Sequence, residues 1–153
     1  MNKCKYVVGF AFNQGALLKP QGKNDQVVLI RKLKPDWQRD RWNGPGGSIE
    51  EGETPEQAMV REYLEETGVE ITEWELFAVL ECEDAEVFFF RAFTDLIFET
   101  YTATQELVAR HYLQALPSRR LPNLHWLIPM ALNSAPDQVP YRVYEPGVAV
   151  SAA

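Results

Sequence analysis

The chain has 153 residues, 46% apolar and 12% aromatic, with 22 acidic and 15 basic side chains for a net charge of −7. That length and apolar content suit one domain, here residues 1–153, with a real core, and they exclude a disordered chain. No apolar run reaches the roughly 20 residues that span a bilayer, and the acidic balance speaks against a nucleic-acid polymer or a membrane as partner.

The first 18 residues carry Lys3 and Lys5 before a short apolar stretch. Their alternation reads as a strand and not as a signal peptide. Residues 5–12 (KYVVGFAF) and 26–32 (QVVLIRK) are rich in β-branched and aromatic side chains and are expected to be strands. Between them, Asn13-Gln14-Gly15 and residues 20–25 carry turn chemistry. Residues 35–48 are expected to be a loop ending in Gly44-Pro45-Gly46-Gly47, unsuited to helix or regular strand. Residues 54–67 predict a helix: Thr54 as N-cap, Pro55 at the first helical position, Gln57 completing a capping box and Gly68 as the left-handed terminator. Strands are expected at 74–80, 86–93 and 107–113. A second helix is expected at 123–132, where Leu124, Leu127, Ile128, Ala131 and Leu132 follow helical spacing and Pro129 implies a kink. The tail after Asn133 is Pro-rich, with its last residues expected to fray. Strands with two marked helices predict an α/β fold, a mixed sheet covered on both faces. Cys4 and Cys82 are too few for a disulfide scaffold and lack metal-ligand spacing; they are read as reduced and buried, in a cytoplasmic protein.

Charge is concentrated along the chain. Residues 47–69 hold seven glutamates and one arginine, so −6 of the −7 lies there, and residues 31–41 just before hold five basic and two acidic side chains. At ~100° per residue, Glu62, Glu65 and Glu66 share one ~100° sector of the helix, while Val60 and Leu64 point the other way, toward an expected core. A Glu-rich helix ordinarily carries a solvated acidic face. Here like charges repel at i,i+4 beside a glycine-proline loop and a basic stretch. A hard divalent cation such as Mg²⁺ resolves that conflict, because it favours carboxylates and takes phosphate oxygens as further ligands. Arg61, four residues before Glu65, can hold a carboxylate in place.

The pattern Gly47-x5-Glu53-x7-Arg61-Glu62-Tyr63-Leu64-Glu65-Glu66-Thr67-Gly68-Val69 resembles the Nudix box, with every fixed position present and Tyr63 as the one soft departure, aromatic where an aliphatic is commoner. Trp42-Asn43-Gly44-Pro45-Gly46-Gly47 is similar to the loop that leads into it. The resemblance implies the Nudix fold, an α/β/α sandwich around a mixed β-sheet, and a MutT-like hydrolase. It implies Glu62, Glu65 and Glu66 as ligands of Mg²⁺, with Mn²⁺ as a substitute ion, and the Gly47 carbonyl as a further ligand. Glu53 and Arg61 would orient the catalytic site. The general base stays open between a box glutamate, Glu62 or Glu65, and a downstream one, Glu106 or Glu99. Arg31 closes a strand where relatives place a phosphate-contacting arginine, with an exposed strand end as the other reading. Lys32, Lys34, Arg39 and Arg41 would add steering.

Substrate identity must come from outside the box. Asn123 occupies a position where MutT-type members read a purine base, and a plain helix N-cap is the other reading. His125 and Trp126 could line the same pocket, although Trp126 suits a core, and Phe88, Phe89 and Phe90 must face alternate sides of a strand. No proline lies between Val69 and Pro117, where members acting on ADP-ribose usually carry one. The resemblance therefore points to a small nucleotide substrate, a nucleoside triphosphate cleaved to monophosphate and pyrophosphate, with an oxidised purine such as 8-oxo-dGTP foremost. The alternatives are another nucleoside diphosphate derivative, such as a nucleotide sugar or dinucleotide, and a non-catalytic nucleotide sensor. Nothing in the sequence decides between monomer and homodimer.

Overall fold

Apolar runs bounded by turn residues form the sheet. The computed structural model describes residues 3–19 and 21–147; Pro20, in a segment expected to turn, and residues 148–153, expected to fray, lie outside them. The strands are β1 (Cys4–Phe12), β2 (Gln26–Arg31), β3 (Trp42–Asn43), β4 (Gly46–Ser48), β5 (Glu75–Glu81), β6 (Ala85–Phe93), β7 (Val108–Tyr112) and β8 (Tyr141–Tyr144). Two helices join them, α1 (Pro55–Thr67) and α2 (Leu124–Asn133). Among the described residues the strands make one sheet in the order β3-β2-β1-β6-β5-β8, with β4 beside β1 and β7 beside β2. The β1–β6 and β5–β8 pairs are parallel and the others antiparallel, so the sheet is mixed, as expected.

Strand β1 is buried from Val7 to Phe12, because both faces of the sheet are covered. Val8, Phe10 and Phe12 pack with Leu124, Leu127 and Ile128 of α2. Val7 and Ala11 face Ala58, Met59 and Tyr63 of α1. The helices thus lie on opposite faces, giving the α/β/α sandwich. The three consecutive phenylalanines of β6 alternate as a strand requires: Phe89 belongs to the α2 side, Phe88 and Phe90 to the α1 side.

Several expectations are corrected. The segment 35–48 is not unpaired: it contains a turn of 3-10 helix at Asp36–Gln38, and β3 and β4. Its glycines permit the pairing, since a Cβ on Gly46 would drive into the Val7 carbonyl and one on Gly44 would lie 2.6 Å from the Gly9 carbonyl oxygen. The Pro-rich tail contains β8, parallel to the β5 edge. Val60 and Leu64 do not form the core face of α1; Leu64 is 42% exposed, and the buried residues are Ala58, Met59, Tyr63, Glu66 and Thr67. The buried stripe therefore overlaps the carboxylate sector instead of opposing it. Cys82 is buried but Cys4 is exposed, and both are free thiols. Asn13-Gln14-Gly15 leads into a turn of 3-10 helix at Gln14–Leu17.

β1 meets β2 at the Phe12–Val27 pair and β4 along Tyr6–Ser48 to Val8–Gly46. The two partners diverge, and Asn43–Pro45 fills the space between, with the Gly9 N–H donating to the Pro45 carbonyl at 2.9 Å. Helix α1 starts as expected: Thr54 Oγ1 accepts from the Gln57 N–H at 3.1 Å, Gln57 Oε1 accepts from the Thr54 N–H at 2.9 Å, and Gly68 ends the helix at φ 75°. Replacing the cap, Thr54→Ala, is expected to lower stability by about 1 kcal/mol in urea unfolding. An unchanged midpoint would show that sheet packing alone sets the start of α1.

Candidate active site

Arg61 sits at the centre of the acidic segment, where its fork has five carbonyl or carboxylate partners within reach. Its Nε and Nη2 donate to the two oxygens of Glu53 at 2.7 and 2.9 Å, a bidentate pair. Nη1 donates to Glu62 Oε1 at 2.9 Å and to the Glu65 oxygens at 3.4 Å, and Nη2 also donates to the Ser48 carbonyl at 3.0 Å. Glu50 stands 3.7 Å away. Glu53 in turn accepts from the Glu50 N–H at 2.9 Å, which closes the loop onto the helix. The Arg61 hydrogen bond holds the Glu53 carboxyl below the usual carboxylate range, and its partners, Glu53 first, push the guanidinium further up.

Beside this network lies a cavity of about 840 Å³, a size that suits a nucleotide-sized ligand. Glu62, Glu66, Glu106 and Lys32 line it together with Gly47 and Asn123. Glu66 is 8% exposed and its Oε2 is buried without a hydrogen-bond partner. Burial is the main reason its carboxyl is pushed up to about 8; the neighbouring Glu62 and Glu106 add to the rise and Lys32 opposes it. Glu106 accepts from the Leu33 N–H at 2.6 Å and pairs with Lys32 Nζ at 3.4 Å. Gly47 lies against Glu62: a Cβ there would sit 2.5 Å from Glu62 Oε1, so any larger residue would push the carboxylate from this position.

The residues singled out from the sequence divide between the cavity and its surroundings. Glu62, Glu66, Gly47, Asn123 and Glu106 meet in the cavity wall, with Glu53 and Arg61 behind Glu62. Glu65 is on the exposed side of α1, held by Arg61, and does not line the cavity. Arg31 is an exposed residue at the end of β2 and stays outside the lining, whereas Lys32 and Lys34 of the same basic stretch line the cavity. Glu99 is exposed and away from the cavity, as are His125 and Trp126, so Trp126 is neither core nor lining. Asn123 does not cap α2 with its side chain; its backbone is already helical and its Oδ1 is buried without a partner. Phe89 is the β6 phenylalanine that reaches the cavity. Sequence reasoning missed Gln38 and Asn43 as lining residues. Asn43, directly before the Gly-Pro-Gly-Gly run, carried a weak positional signal, and Gln38 carried none.

The donor set suits a hard divalent cation. Glu66 brings a buried carboxylate oxygen that no side chain satisfies, and Glu62 adjoins it. Among the described residues no three His, Cys, Asp or Glu side chains form a finished cage. Mg²⁺ does not require one, since one or two carboxylates plus water and substrate phosphates complete its octahedron.

Two measurements probe this network. Arg61→Lys keeps a charge but loses the bidentate fork, and is expected to destabilise the fold by about 1–3 kcal/mol in denaturant unfolding. A raised carboxyl contributes stability that is complete below its ordinary value near 4.5 and is lost as pH rises through about 8. In chelator, wild type should therefore lose Tm between pH 5 and 8.5 relative to Glu66→Gln, whose neutral amide removes that slope. Burial holds the His111 imidazole below its ordinary value, which acts in the opposite sense, but it is common to both proteins and cancels in the difference. Parallel Tm profiles would show that Glu66 does not carry the charge conflict.

A model of the NUDIX domain matches residues 14–142. The 8-oxo-dGTP diphosphatase of Escherichia coli K12 is 36% identical over 83 residues, covering 54% of this chain and 57% of that protein, so the chain spans less than two thirds of that relative. Among solved structures, a NUDIX hydrolase from Nitrosomonas europaea superposes with a TM-score of 0.69 at 22% identity, over 96% of this chain and 81% of that one. A MutT structure from a study of Aliivibrio salmonicida and Vibrio cholerae matches with a TM-score of 0.66 at 24% identity, over 86% and 97%. At those identities the superpositions bear on the fold, whereas the family model spans β2 to β7, α1 and the glutamate cluster together: the chain belongs to the NUDIX family.

Proposed function

We propose that the protein is a divalent-metal-dependent hydrolase of nucleoside triphosphates, releasing monophosphate and pyrophosphate, with an oxidised purine nucleotide such as 8-oxo-dGTP as its leading substrate. The observation that carries this reading is the pairing, in one cavity, of the buried unsatisfied Glu66 carboxylate with the unbonded Asn123 amide. The carboxylates of this lining suit metal and phosphate, and the amide suits a base. The E. coli relative named an 8-oxo-dGTP diphosphatase supports the substrate class. An intact set of box glutamates supports catalysis over nucleotide sensing, and a cavity of nucleotide size around them supports a free nucleotide over a polymer.

In this reading Glu62 and Glu66 hold Mg²⁺, or Mn²⁺ in its place, with the Gly47 carbonyl as a further ligand, while Glu65 stays with Arg61 outside the cavity. When bound, such an ion neutralises phosphoryl charge and lowers the pKa of a coordinated water. Arg61 and Glu53 keep Glu62 oriented through the hydrogen bonds described above. Lys32, a lining cation whose charge acts on Glu66, contacts the phosphates, with Lys34 also in the lining and Arg31 outside it. Glu106 is the downstream candidate that reaches the cavity. Anchored by the Leu33 N–H, it is placed to accept the proton of an attacking water. Asn123 offers a donor and an acceptor to a base edge.

Incubation with nucleoside triphosphates and their oxidised forms in Mg²⁺ tests the reading. Glu66→Gln is expected to lower kcat/KM by about a hundredfold or more; unchanged turnover would remove Glu66 from the metal site. Asn123→Ala should raise KM about tenfold for the preferred base, with a smaller change in kcat. Equal discrimination between bases before and after would take Asn123 out of base recognition.

A further inference from the structure

The loop between β2 and β3 holds a side chain that the reading above leaves unused. Gln38 closes the 3-10 turn at Asp36–Gln38, and its backbone is pinned on both sides. Its N–H donates to the Pro35 carbonyl and its carbonyl accepts from the Arg41 N–H, both at 2.9 Å. The loop itself is tied shut, the Lys32 N–H donating to the Arg41 carbonyl and the Asp40 N–H to the Lys32 carbonyl at 2.8 Å. The position of Gln38 is thus set by backbone bonds, independently of any ligand.

Its neighbours Asp36, Trp37 and Arg39 are exposed, whereas Gln38 is 5% exposed. A glutamine in a polar loop ordinarily turns to water. This one is buried, and its Oε1 has no hydrogen-bond partner. Packing does not account for it, because a methionine or leucine would fill the same space without burying an unsatisfied amide. The cavity wall that Gln38 joins contains two more amides, Asn43 and Asn123. Asn43 is engaged locally, its Oδ1 accepting from the Gly44 N–H at 2.8 Å. Asn123 is not, and its Oδ1 is buried and unpartnered like that of Gln38. Two amides contributed by segments 85 positions apart therefore line one cavity, each with a buried oxygen that has no hydrogen-bond partner.

We propose that Gln38 is a specificity-determining residue whose amide, together with that of Asn123, reads the edges of a purine nucleotide. The proposal rests on the cavity being the nucleotide site argued above. A purine offers donors and acceptors on two edges and can engage both amides, while a pyrimidine has one comparable edge. A base that fails to pair with Gln38 leaves a buried amide unsatisfied, which is how such a site rejects the wrong ligand.

The test compares wild type, Gln38→Met and Gln38→Glu. Hydrolysis of GTP, ATP, ITP and CTP is followed in Mg²⁺, and binding of GMP, AMP and CMP is followed by calorimetry in chelator. Gln38→Met should raise KM and Kd for purines about tenfold, change kcat less, and narrow the purine-to-pyrimidine ratio by a similar factor. Its Tm should equal or exceed that of wild type, since the isostere removes an unsatisfied amide. Gln38→Glu only accepts, so it should shift preference toward guanine, which donates from N1 and N2, and away from adenine. A folded Gln38→Met with wild-type base ratios overturns the proposal while leaving the hydrolase reading intact. If Gln38→Met fails to fold, an unchanged guanine-to-adenine ratio in Gln38→Glu overturns it instead. Wild type that neither binds nor cleaves any of these nucleotides overturns the hydrolase reading, and the proposal with it.

Discussion

The bidentate pair between Arg61 and Glu53 is the interaction on which the acidic segment depends. Seven glutamates in 23 residues would repel strongly if left to themselves. One guanidinium, planar and permanently charged, reaches Glu53, Glu62, Glu65 and the Ser48 carbonyl at once. It ties the loop before α1 to the body of the helix and fixes Glu62 beside Gly47. A lysine, as a point charge, could not hold four partners in fixed directions. The pair is partly exposed, so its role is chiefly geometric.

What Arg61 does not reach is Glu66. That carboxylate lies within the buried stripe of α1, next to Tyr63 and Thr67, and its second oxygen has no partner. The helix thus spends a core position on a charge. Natural proteins keep such a conflict where a ligand resolves it. The surrounding cavity brings Glu62, Glu106 and Lys32 into one lining with amide and aromatic groups such as Asn123 and Phe89.

Much of this was legible in the sequence because it is local. The capping box of Thr54 and Gln57, the terminator Gly68 and the i,i+4 reach of Arg61 to Glu65 depend on spacing along one helix, and all formed as read. The apolar runs of β1, β2 and β6 were equally plain. Burial direction was less so: the angular argument sent Val60 and Leu64 inward, while the sheet lies against Ala58, Met59 and Tyr63. A helical wheel gives angles between residues but not which angle faces the sheet. Strand β8 was missed because its residues make a strand only by adding to the β5 edge, and Gly46–Ser48 because glycine weakens a strand by propensity yet permits close approach to Val7.

By itself, the sequence determined the helix, its caps, the order of glutamates along it and, through the box they form, the family. Those are consequences of covalent spacing and of 3.6 residues per turn. Only the tertiary structure decided which charges share the cavity: Lys32 and not Arg31, Glu106 and not Glu99, Glu66 and not Glu65. It also decided that Asn123 leaves its helix uncapped and that Gln38, from a loop with no motif of its own, turns inward. These choices depend on where segments from β2, β3, α1 and α2 meet around the split in the sheet. Contacts between residues 85 positions apart are set by packing, and no periodicity along the chain encodes them.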